Sequence, residues 1–378
     1  MDITSRELNE SIFVPALGNG QQNKRININQ LLRNMVTYQA SDLHLKVPAG
    51  PVYRINGNLD KKDCLPIDPA DVENVFCQIA TESQKSIFYA HNEVDFPYSI
   101  PGVARFRVNV HRQRGTLSIV FRMIPFDIPS IHELGLPSIC KDLIMKPRGL
   151  IVVTGPTGSG KSTTLAAMIQ YLNKNANKRI ITIEDPIEFI FKDDNCVISQ
   201  RELGADTESF ASALKHALRH DPDIIVVGEM RDLETVSTAI AAAETGHLVL
   251  GTLHTLDAAQ TVDRLIDMFP PGQQGQIKSQ FSQLLEAVIC QTLIPKASGK
   301  GRVAAFEVLV GNIAVRNLIR EGKTHEINGA LSLYHNDGMQ SLDQSIATLV
   351  QQGLIKKSDA MLKTSHPNIL SKLIDRTL

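Results

Sequence analysis

The sequence predicts an α/β protein in which a domain built on a parallel sheet follows a smaller α+β domain. Short, continuous apolar runs are separated by segments long enough to be helices, and they occur at 150–153, 179–183, 224–227 and 247–253. Such runs are typical of strands that are covered on both faces of a parallel sheet. Earlier in the chain, apolar and polar residues alternate, as they do in half-buried strands.

Length and composition describe a globular chain of more than one domain. The 378 residues are 43% hydrophobic and 21% charged, which is the balance of a globular protein. The net charge of −1 excludes a protein whose main activity is bulk electrostatic binding to nucleic acid. No apolar run reaches the ~18 residues of a membrane span, and the N-terminus lacks a secretory signal. We therefore expect a cytoplasmic protein with no integral membrane segment and no nucleic-acid partner.

Two prolines in the segment 125–129 interrupt any regular element and mark a domain boundary. We predict a linker or hinge at 125–137, between an α+β domain at 26–124 and an α/β domain at 138–378. Residues 1–25 are polar and are predicted to be an N-terminal extension, a candidate for disorder.

Apolar spacing predicts the elements of the first domain. They are a helix at 28–36, strands at 42–47 and 52–55, a helix at 69–80, and strands at 105–112 and 117–123. Asn56-Gly57 and Arg114-Gly115 are predicted turns. In the second domain, the segment beyond about residue 270 is predicted to be mostly helical.

A phosphate-binding loop is the most specific motif in the second domain. Residues 155–162, GPTGSGKS, fit G-x-x-x-x-G-K-[ST] between a predicted strand and a predicted helix. The glycines allow backbone N–H groups to face a polyphosphate, and the helix N-terminus adds positive charge. Lys161 is expected to reach the β- and γ-phosphates and Ser162 to bind Mg²⁺. The predicted nucleotide-binding residues are Gly155, Pro156, Thr157, Gly158, Ser159, Gly160, Lys161, Ser162 and Thr163.

Carboxylates follow two of the other predicted strands. Glu184, Asp185 and Glu188 come after one strand, and Glu229 comes after another. The carboxyl ends of parallel strands share one edge of a sheet. Negative charge beside an anionic ligand is costly unless it holds a metal or activates water. Glu229 stands where a Walker B carboxylate supports Mg²⁺; the alternative for all four is a set of caps and solvated turns.

Histidines and arginines are further candidates. His247 and His254 bracket a predicted buried strand, where a histidine can either be structural or sense a γ-phosphate. Five arginines lie on the last two strands of the first domain: Arg105, Arg107, Arg112, Arg114 and Arg122. Alternation places Arg105 and Arg107 on one face. They form either a solvated or nucleic-acid-binding face, or groups that reach a nucleotide held by a neighbouring subunit.

Together these motifs resemble those of the secretion and pilus ATPases, a branch of the RecA-like fold, over residues 28–365. Residues 183–189 are similar to the family's Asp box, whose last glutamate, the catalytic base, corresponds to Glu188. Residues 227–232 resemble its Walker B segment, and residues 244–255 its His box.

One segment indicates a branch of that family. Residues 314–321, AVRNLIRE, resemble the AIRNLIRE motif of the pilus retraction ATPases, with Val315 in place of Ile. Spacing alone describes only an amphipathic helix. Pilus extension and type II secretion ATPases generally carry a paired-CxxC zinc element. The five cysteines here include no CxxC pair, which favours the retraction branch.

The resemblance implies a RecA-like P-loop ATPase domain preceded by a smaller PAS-like α+β domain, with ATP and Mg²⁺ bound between the two. It implies a ring-shaped homohexamer in which arginines of the first domain complete the site. Arg107, Arg112 and Arg122 align best with those arginines. Glu188 is then the general base, Glu229 supports the metal, and His254 and His247 sense the γ-phosphate.

The function implied is ATP hydrolysis that powers type IV pilus retraction, at the inner face of the cytoplasmic membrane. An inner-membrane platform protein and other pilus ATPases are the implied partners. Three alternatives stay open: an ATPase of a related secretion or conjugation system, an accessory retraction subunit, and a nucleotide-bound scaffold without hydrolysis. Glu188 and Glu229 argue against the scaffold, which needs no general base.

Overall fold

The computed structural model describes residues 13–15, 24–61, 66–125, 127–334 and 337–375, in two compact units, Met1–Phe126 and Asp127–Leu378. The linker at 125–137 remains a prediction in its role as a hinge. Of the predicted extension at 1–25, only residues 13–15 and 24–25 are described. They belong to the antiparallel pair β1 (Phe13–Pro15) and β2 (Lys24–Ile26). The rest of that prediction lies outside the described residues.

The first unit contains a six-stranded antiparallel sheet with strand order β5-β4-β3-β8-β7-β6. The helices and strands that the sequence predicts here are all present, whereas α3, β5 and β6 were not predicted. In chain order the elements are α1 (Ile28–Thr37), β3 (Ala40–Lys46), β4 (Val52–Ile55), β5 (Asn58–Lys61), α2 (Pro69–Ile79), α3 (Glu82–His91), β6 (Glu93–Ile100), β7 (Ala104–Gln113) and β8 (Thr116–Ile124).

Local sequence explains how these elements begin and turn. Asp68 and Asp71 form a reciprocal capping box at the start of α2, and Pro69 occupies its first turn. Asn56 and Gly57 have φ angles of 50° and 83°, as a two-residue hairpin between β4 and β5 requires. The helices cover one face of the sheet with a core of large, fully buried side chains that include Leu31, Met35, Phe76, Phe88, Phe106 and Phe121.

The second unit is built on a seven-stranded sheet with strand order β11-β10-β12-β13-β9-β14-β15. In chain order its elements are α4 (Ile139–Ile144), β9 (Gly149–Thr154), α5 (Lys161–Asn175), β10 (Arg179–Glu184), β11 (Val197–Glu202), α6 (Phe210–Ala217), β12 (Ile224–Val227), α7 (Leu233–Glu244), β13 (Leu248–Leu253), α8 (Ala258–Asp267), α9 (Pro271–Leu284), β14 (Leu285–Pro295), β15 (Arg302–Val310), α10 (Ile313–Glu321), a 3₁₀ turn (Thr324–Glu326), α11 (Ile327–Leu333), α12 (Leu342–Gln351), α13 (Lys357–Met361) and α14 (Pro367–Asp375).

The four predicted apolar runs form the parallel centre of this sheet. Strands β9, β10, β12 and β13 pair in parallel, and every residue of β9, β12 and β13 is buried. Helices pack on both faces, as these doubly apolar strands require. One face packs side chains such as Leu165 and Met168 of α5, and the other packs residues of α7, α8 and α9.

The prediction of a mostly helical segment beyond residue 270 is wrong in part. Two strands lie there: β14 pairs in parallel with β9, and β15 pairs antiparallel with β14. The break at 298–301 is the hairpin turn between them. The apolar run of β14 follows α9 directly, so that spacing alone could not separate strand from helix. In the part of the chain that the structure describes, no helix has the length and apolar character to cross a membrane.

Candidate nucleotide-binding and hydrolysis site

The phosphate loop joins the carboxyl end of β9 to the start of α5, where the motif predicts it. Gly155, Gly158 and Gly160 have φ angles of 140°, 75° and 91°, a region that glycine adopts without steric cost. A Cβ on Gly155 would lie 2.3 Å from the carbonyl oxygen of Gln291, whereas Gly158 has no atom within 4 Å of that position. The open side of the loop at Gly158 therefore leaves room for a phosphate to approach the backbone.

Lys161 begins α5 and holds the loop through its ammonium group. Its Nζ donates to the carbonyl oxygens of Gly155 at 2.9 Å and Pro156 at 3.2 Å. Burial lowers the pKa of Lys161, and the nearby carboxylates of Glu229 and Glu188 oppose that shift. The lysine is thus a partly desolvated cation, which binds an incoming phosphate more strongly than a fully solvated one.

His254 connects Lys161 to Glu229. Its Nδ1 lies 3.4 Å from Lys161 Nζ, and its Nε2 lies 3.0 Å from Glu229 Oε1. The lysine can only donate, so Nδ1 accepts and Nε2 carries the hydrogen toward Glu229. Predicted residues from three segments of the chain therefore form one connected group at the carboxyl ends of β9, β12 and β13.

Glu229 is held as a carboxylate by its neighbours. Arg231 Nε lies 2.5 Å from the same Oε1 that faces His254. Burial alone would raise the pKa of Glu229, but the hydrogen bonds from Arg231 and His254 and the charge of Arg231 hold that pKa below its ordinary value. Arg231 was not predicted as a site residue, although it stands two positions after the Walker B glutamate.

A single pocket brings the other predicted carboxylates to the start of α5. Its polar wall contains Ser162, Glu184, Asp185, Glu188 and Glu229, and its apolar wall contains Leu165, Ile169, Phe189, Phe191, Phe210 and Val226. The order of the strands explains the grouping, since β10 and β12 are neighbours and end at the same edge. The side chain of Glu188 is exposed, so water can reach its carboxylate.

His247 is not brought to this group, contrary to the expectation. It precedes β13, at the opposite end from His254, and its carbonyl oxygen accepts from Gly149 N, at the amino end of β9. Its Nδ1 lies 2.9 Å from the carbonyl oxygen of Ala242. Six strand residues separate it from the phosphate-loop end of the sheet, about 20 Å at the usual rise. Within this unit, the contacts of His247 with Gly149 and Ala242 support the fold.

The three arginines that correspond to the site arginines of the family lie on two different faces of the sheet in the first unit. Arg107 and Arg122 are direct partners across β7 and β8 and lie on the face that the helices leave uncovered. Arg122 Nε donates to Asp42 at 2.8 Å. Arg112 lies on the helical face, where its guanidinium stacks on Phe88 at 5.5 Å. Arg112 therefore cannot act on the same group from the same face as the other two.

Gln291 belongs to the site and was not predicted. It is buried on β14, its Nε2 donates to the carbonyl oxygen of Ser159 at 2.7 Å, and its Oε1 accepts from Thr164 Oγ1 at 2.8 Å. A lone glutamine in an apolar run was the available signal. Beside it, Ser159 Oγ is buried with no hydrogen-bond partner, so the loop retains a donor for a ligand.

The residues of the pocket fit Mg²⁺ when phosphates share its coordination. Among the described residues, no group of three or more His, Cys, Asp or Glu side chains could hold a metal ion. Mg²⁺ usually takes only one or two protein ligands beside nucleotide phosphates. The Ser162 hydroxyl and the Glu229 carboxylate line the same pocket, and both present the oxygen atoms that this ion prefers.

Comparison with known proteins identifies a family and several relatives of this chain. Residues 19–362 match the family described as "Type II/IV secretion system protein". Over 342 residues the chain is 46% identical to the "Type IV pilus retractation ATPase PilT" of Pseudomonas aeruginosa, which covers 90% of this chain and 99% of that protein. Over 321 residues it is 48% identical to a "Twitching motility protein" of Neisseria gonorrhoeae, covering 85% of this chain and 86% of that protein.

Solved structures agree. The pilus retraction motor PilT with bound ADP has a TM-score of 0.85 at 45% identity, covering 92% of this chain and 100% of that chain. The ATPase DotB of Legionella pneumophila has a TM-score of 0.79 at 28% identity, covering 92% and 98%. These likenesses confirm the predicted fold class, an α/β ATPase fold of two domains. Because the family match covers most of the sequence, the chain belongs to the type II/IV secretion system protein family.

Proposed function

We propose that the chain is an ATPase that powers the retraction of type IV pili. The observation that carries the proposal is one connected site: Lys161, His254 and Glu229 meet beside a pocket that also holds Ser162 and Glu188. This site supplies a phosphate-binding cation, a metal-binding oxygen pair and a free carboxylate. The likeness to a retraction ATPase along nearly its whole length supports the choice among ATPase functions.

Glu188 is the general base in this proposal. It is exposed in the pocket and lies near enough to Lys161 to influence the pKa of that residue. A carboxylate in this place can orient a water molecule toward the γ-phosphate and accept its proton. Ser162 and Glu229 would hold Mg²⁺, in part through water, and the ion would neutralise charge on the phosphates.

Lys161 and His254 respond to the nucleotide. Lys161 now donates to two carbonyl oxygens of its own loop, and a bound phosphate would replace them as its partner. His254 would then lose its lysine neighbour and turn toward the γ-phosphate. Its contact with Glu229 would therefore differ between the states with and without that phosphate. The loss of the phosphate on hydrolysis would thereby change the loop that precedes α8.

The active assembly is a homohexamer in this proposal. Arg107 and Arg122, adjacent on the uncovered sheet face, would neutralise the phosphoryl group held by a neighbouring subunit. Segment 125–137 would be the hinge between the domains. The ring would work at the cytoplasmic face of the inner membrane on a pilus platform protein, in company with other pilus ATPases.

Phosphate release by the purified chain tests the enzyme part. With ATP and Mg²⁺, the wild type should release inorganic phosphate. Glu188→Gln should bind ATP and assemble as before but turn over about 10²–10⁴ times more slowly, the usual contribution of a general base. Near-normal turnover of Glu188→Gln would remove this residue from its role, and no phosphate release by the wild type would leave only a nucleotide-binding scaffold.

Deletion of the gene tests the pilus part. Cells without the protein should carry excess pili and fail to twitch. The wild type and Lys174→Ala, a matched change in the last turn of α5, should restore twitching, and Lys161→Ala should not. Normal twitching in the deletion strain would favour the accessory subunit or a related secretion system instead.

A further inference from the structure

The segment that carries Glu188 has no regular secondary structure, yet its backbone is held at several points. Residues 185–191 follow β10 and lie beside β11. Ile187 N donates to Glu202 Oε2 at 3.3 Å, and the backbone N–H of Glu188 donates to the Glu184 carboxylate. Side chains of β10 and β11 thus hold a loop that could otherwise adopt many conformations.

Gln200 of β11 makes the largest share of these contacts. Its Nε2 donates to the carbonyl oxygen of Phe189 at 2.8 Å and to Glu184 Oε1 at 3.0 Å, and its Oε1 accepts from Phe191 N at 3.0 Å. The three bonds need both a donor and an acceptor on one side chain. Glutamine provides them, whereas glutamate or methionine of similar size does not.

Glu184 is the other fixed point. Its Oε1 accepts from Thr182 Oγ1 at 2.6 Å as well as from Gln200, and the backbone N–H of Glu188 completes its partners. Four carboxylates line the pocket, so the partners decide which could serve as a base. Glu184 Oε1 is already engaged by Thr182 and Gln200, while Glu188 extends from the loop that Glu184 holds.

We infer that Glu184 and Gln200 are positioning residues, which set the orientation of Glu188 toward the attacking water without contacting the nucleotide. This inference rests on the proposed role of Glu188 as the general base. It follows from the number and direction of the contacts, because each bond from Gln200 ends within four residues of Glu188. A catalytic carboxylate on an irregular loop must be held within a fraction of an ångström to remain effective.

Gln200→Met tests the inference, since it keeps the size of the side chain and removes its three hydrogen bonds. Turnover should fall about 10- to 100-fold, as expected for a displaced catalytic group, while the KM for ATP and the affinity for ADP stay within about twofold. Gln274→Met is the matched control. Gln274 is a half-buried glutamine on α9 that donates to the carbonyl oxygen of Phe269, and its replacement should leave turnover unchanged.

A double-mutant cycle with Glu188→Gln separates positioning from general stability. In the Glu188→Gln background, Gln200→Met should have little further effect on single-turnover hydrolysis, because the group that it positions is already lost. If Gln200→Met slowed both backgrounds equally, or neither, the inference would be wrong while the role of Glu188 stood. If Glu188→Gln itself were fully active, Glu188 would not be the general base, and the inference about its positioning residues would lose its basis.

Glu184→Gln offers a second route if Gln200→Met does not fold. It keeps the shape of the side chain but gives Gln200 and the Glu188 N–H a single acceptor oxygen in place of two. The same cycle then applies, with the same expectation of a lower turnover in the presence of Glu188 and no added loss in its absence. Full additivity with Glu188→Gln would overturn the inference here as well.

Discussion

Gln291 holds the phosphate loop from a neighbouring strand, its side-chain amide donating to the carbonyl oxygen of Ser159 across 132 positions of sequence. Its oxygen accepts from Thr164 Oγ1, so that one side chain joins the loop to the first turn of α5. A loop with several glycines has much conformational freedom to lose on binding. Gln291 reduces that cost because the loop is already in the required shape.

Gln291→Leu should therefore weaken ADP binding about 10-fold, which corresponds to about 1.4 kcal/mol. The expected loss of affinity is modest. The loss of buried hydrogen bonds typically costs about 1–3 kcal/mol, and part of that free energy lowers the stability of the fold rather than the affinity for ADP. Calorimetric titration with ADP measures the change. Gln340→Leu is the control, since Gln340 makes a comparable amide bond to the carbonyl oxygen of Phe306. Equal ADP affinity in Gln291→Leu and the wild type would contradict the role.

The sequence predicted those parts of the site that adjacent residues encode. The phosphate loop is one continuous string, and the carboxylates follow apolar strands, so pattern and spacing could place them. Gln291 could not be found in this way, because its partners lie far away in sequence and β14 was interpreted as helical. The two histidines show the same limit. Only the direction of β13 decides that His254, and not His247, meets Lys161.

The positions of the two histidines predict different effects of their removal. His254→Ala removes the group between Lys161 and Glu229, and turnover should fall about 10-fold or more, as for other charge-adjacent groups at phosphoryl-transfer sites. His247→Ala removes a bond to the carbonyl oxygen of Ala242 and should instead lower the unfolding temperature by a few degrees, about 1 kcal/mol. Phosphate release and thermal unfolding of both variants measure this. Equal losses of turnover would return His247 to the site.

Glu307 is a buried carboxyl at the start of two helices. Its Oε1 accepts from Ala258 N, at the start of α8, at 2.8 Å, and the backbone N–H of Leu342 at the start of α12 also donates to it. Burial raises the pKa of Glu307 above its ordinary value, although these hydrogen bonds oppose the shift. A carboxyl at two helix N-termini stabilises both starts.

The raised pKa of Glu307 gives a stability prediction with a definite sign. Between the ordinary pKa and the raised one, the folded chain binds more protons than the unfolded chain, so the contribution of this group to stability falls as pH rises. The unfolding temperature of the wild type, measured relative to that of Glu307→Gln, should therefore be highest below the ordinary pKa of 4.5 and decline as the pH rises above it. A difference that grows with pH would show that the folded state favours the charged form.

The two arginines of the retraction-like motif have different surroundings. Arg316 donates to the carbonyl oxygens of Gly311 at 2.6 Å and Ser282 at 3.1 Å, and its Nη2 lies 3.0 Å from Glu286 Oε1. It therefore fastens α10 to the end of α9 and to β14. Arg320 is exposed on the same helix and, among the residues that the structure describes, its hydrogen bond is local, to Asn317. Arg316 therefore supports the fold, whereas the side chain of Arg320 is open to solvent.

Arg320→Ala should thus separate retraction from hydrolysis. Because surface substitutions usually change stability by less than about 0.5 kcal/mol, ATPase activity and the unfolding temperature should stay near wild type while twitching is lost. Arg316→Ala should lower the unfolding temperature by several degrees, since it removes an ion pair with Glu286 and hydrogen bonds to three backbone carbonyl oxygens. Arg302→Ala, at an exposed arginine on β15, controls for the loss of a surface charge. Twitching by the Arg320→Ala strain at the wild-type rate would show that this side chain transmits no force, and a matching loss of ATPase activity would place it in the fold instead.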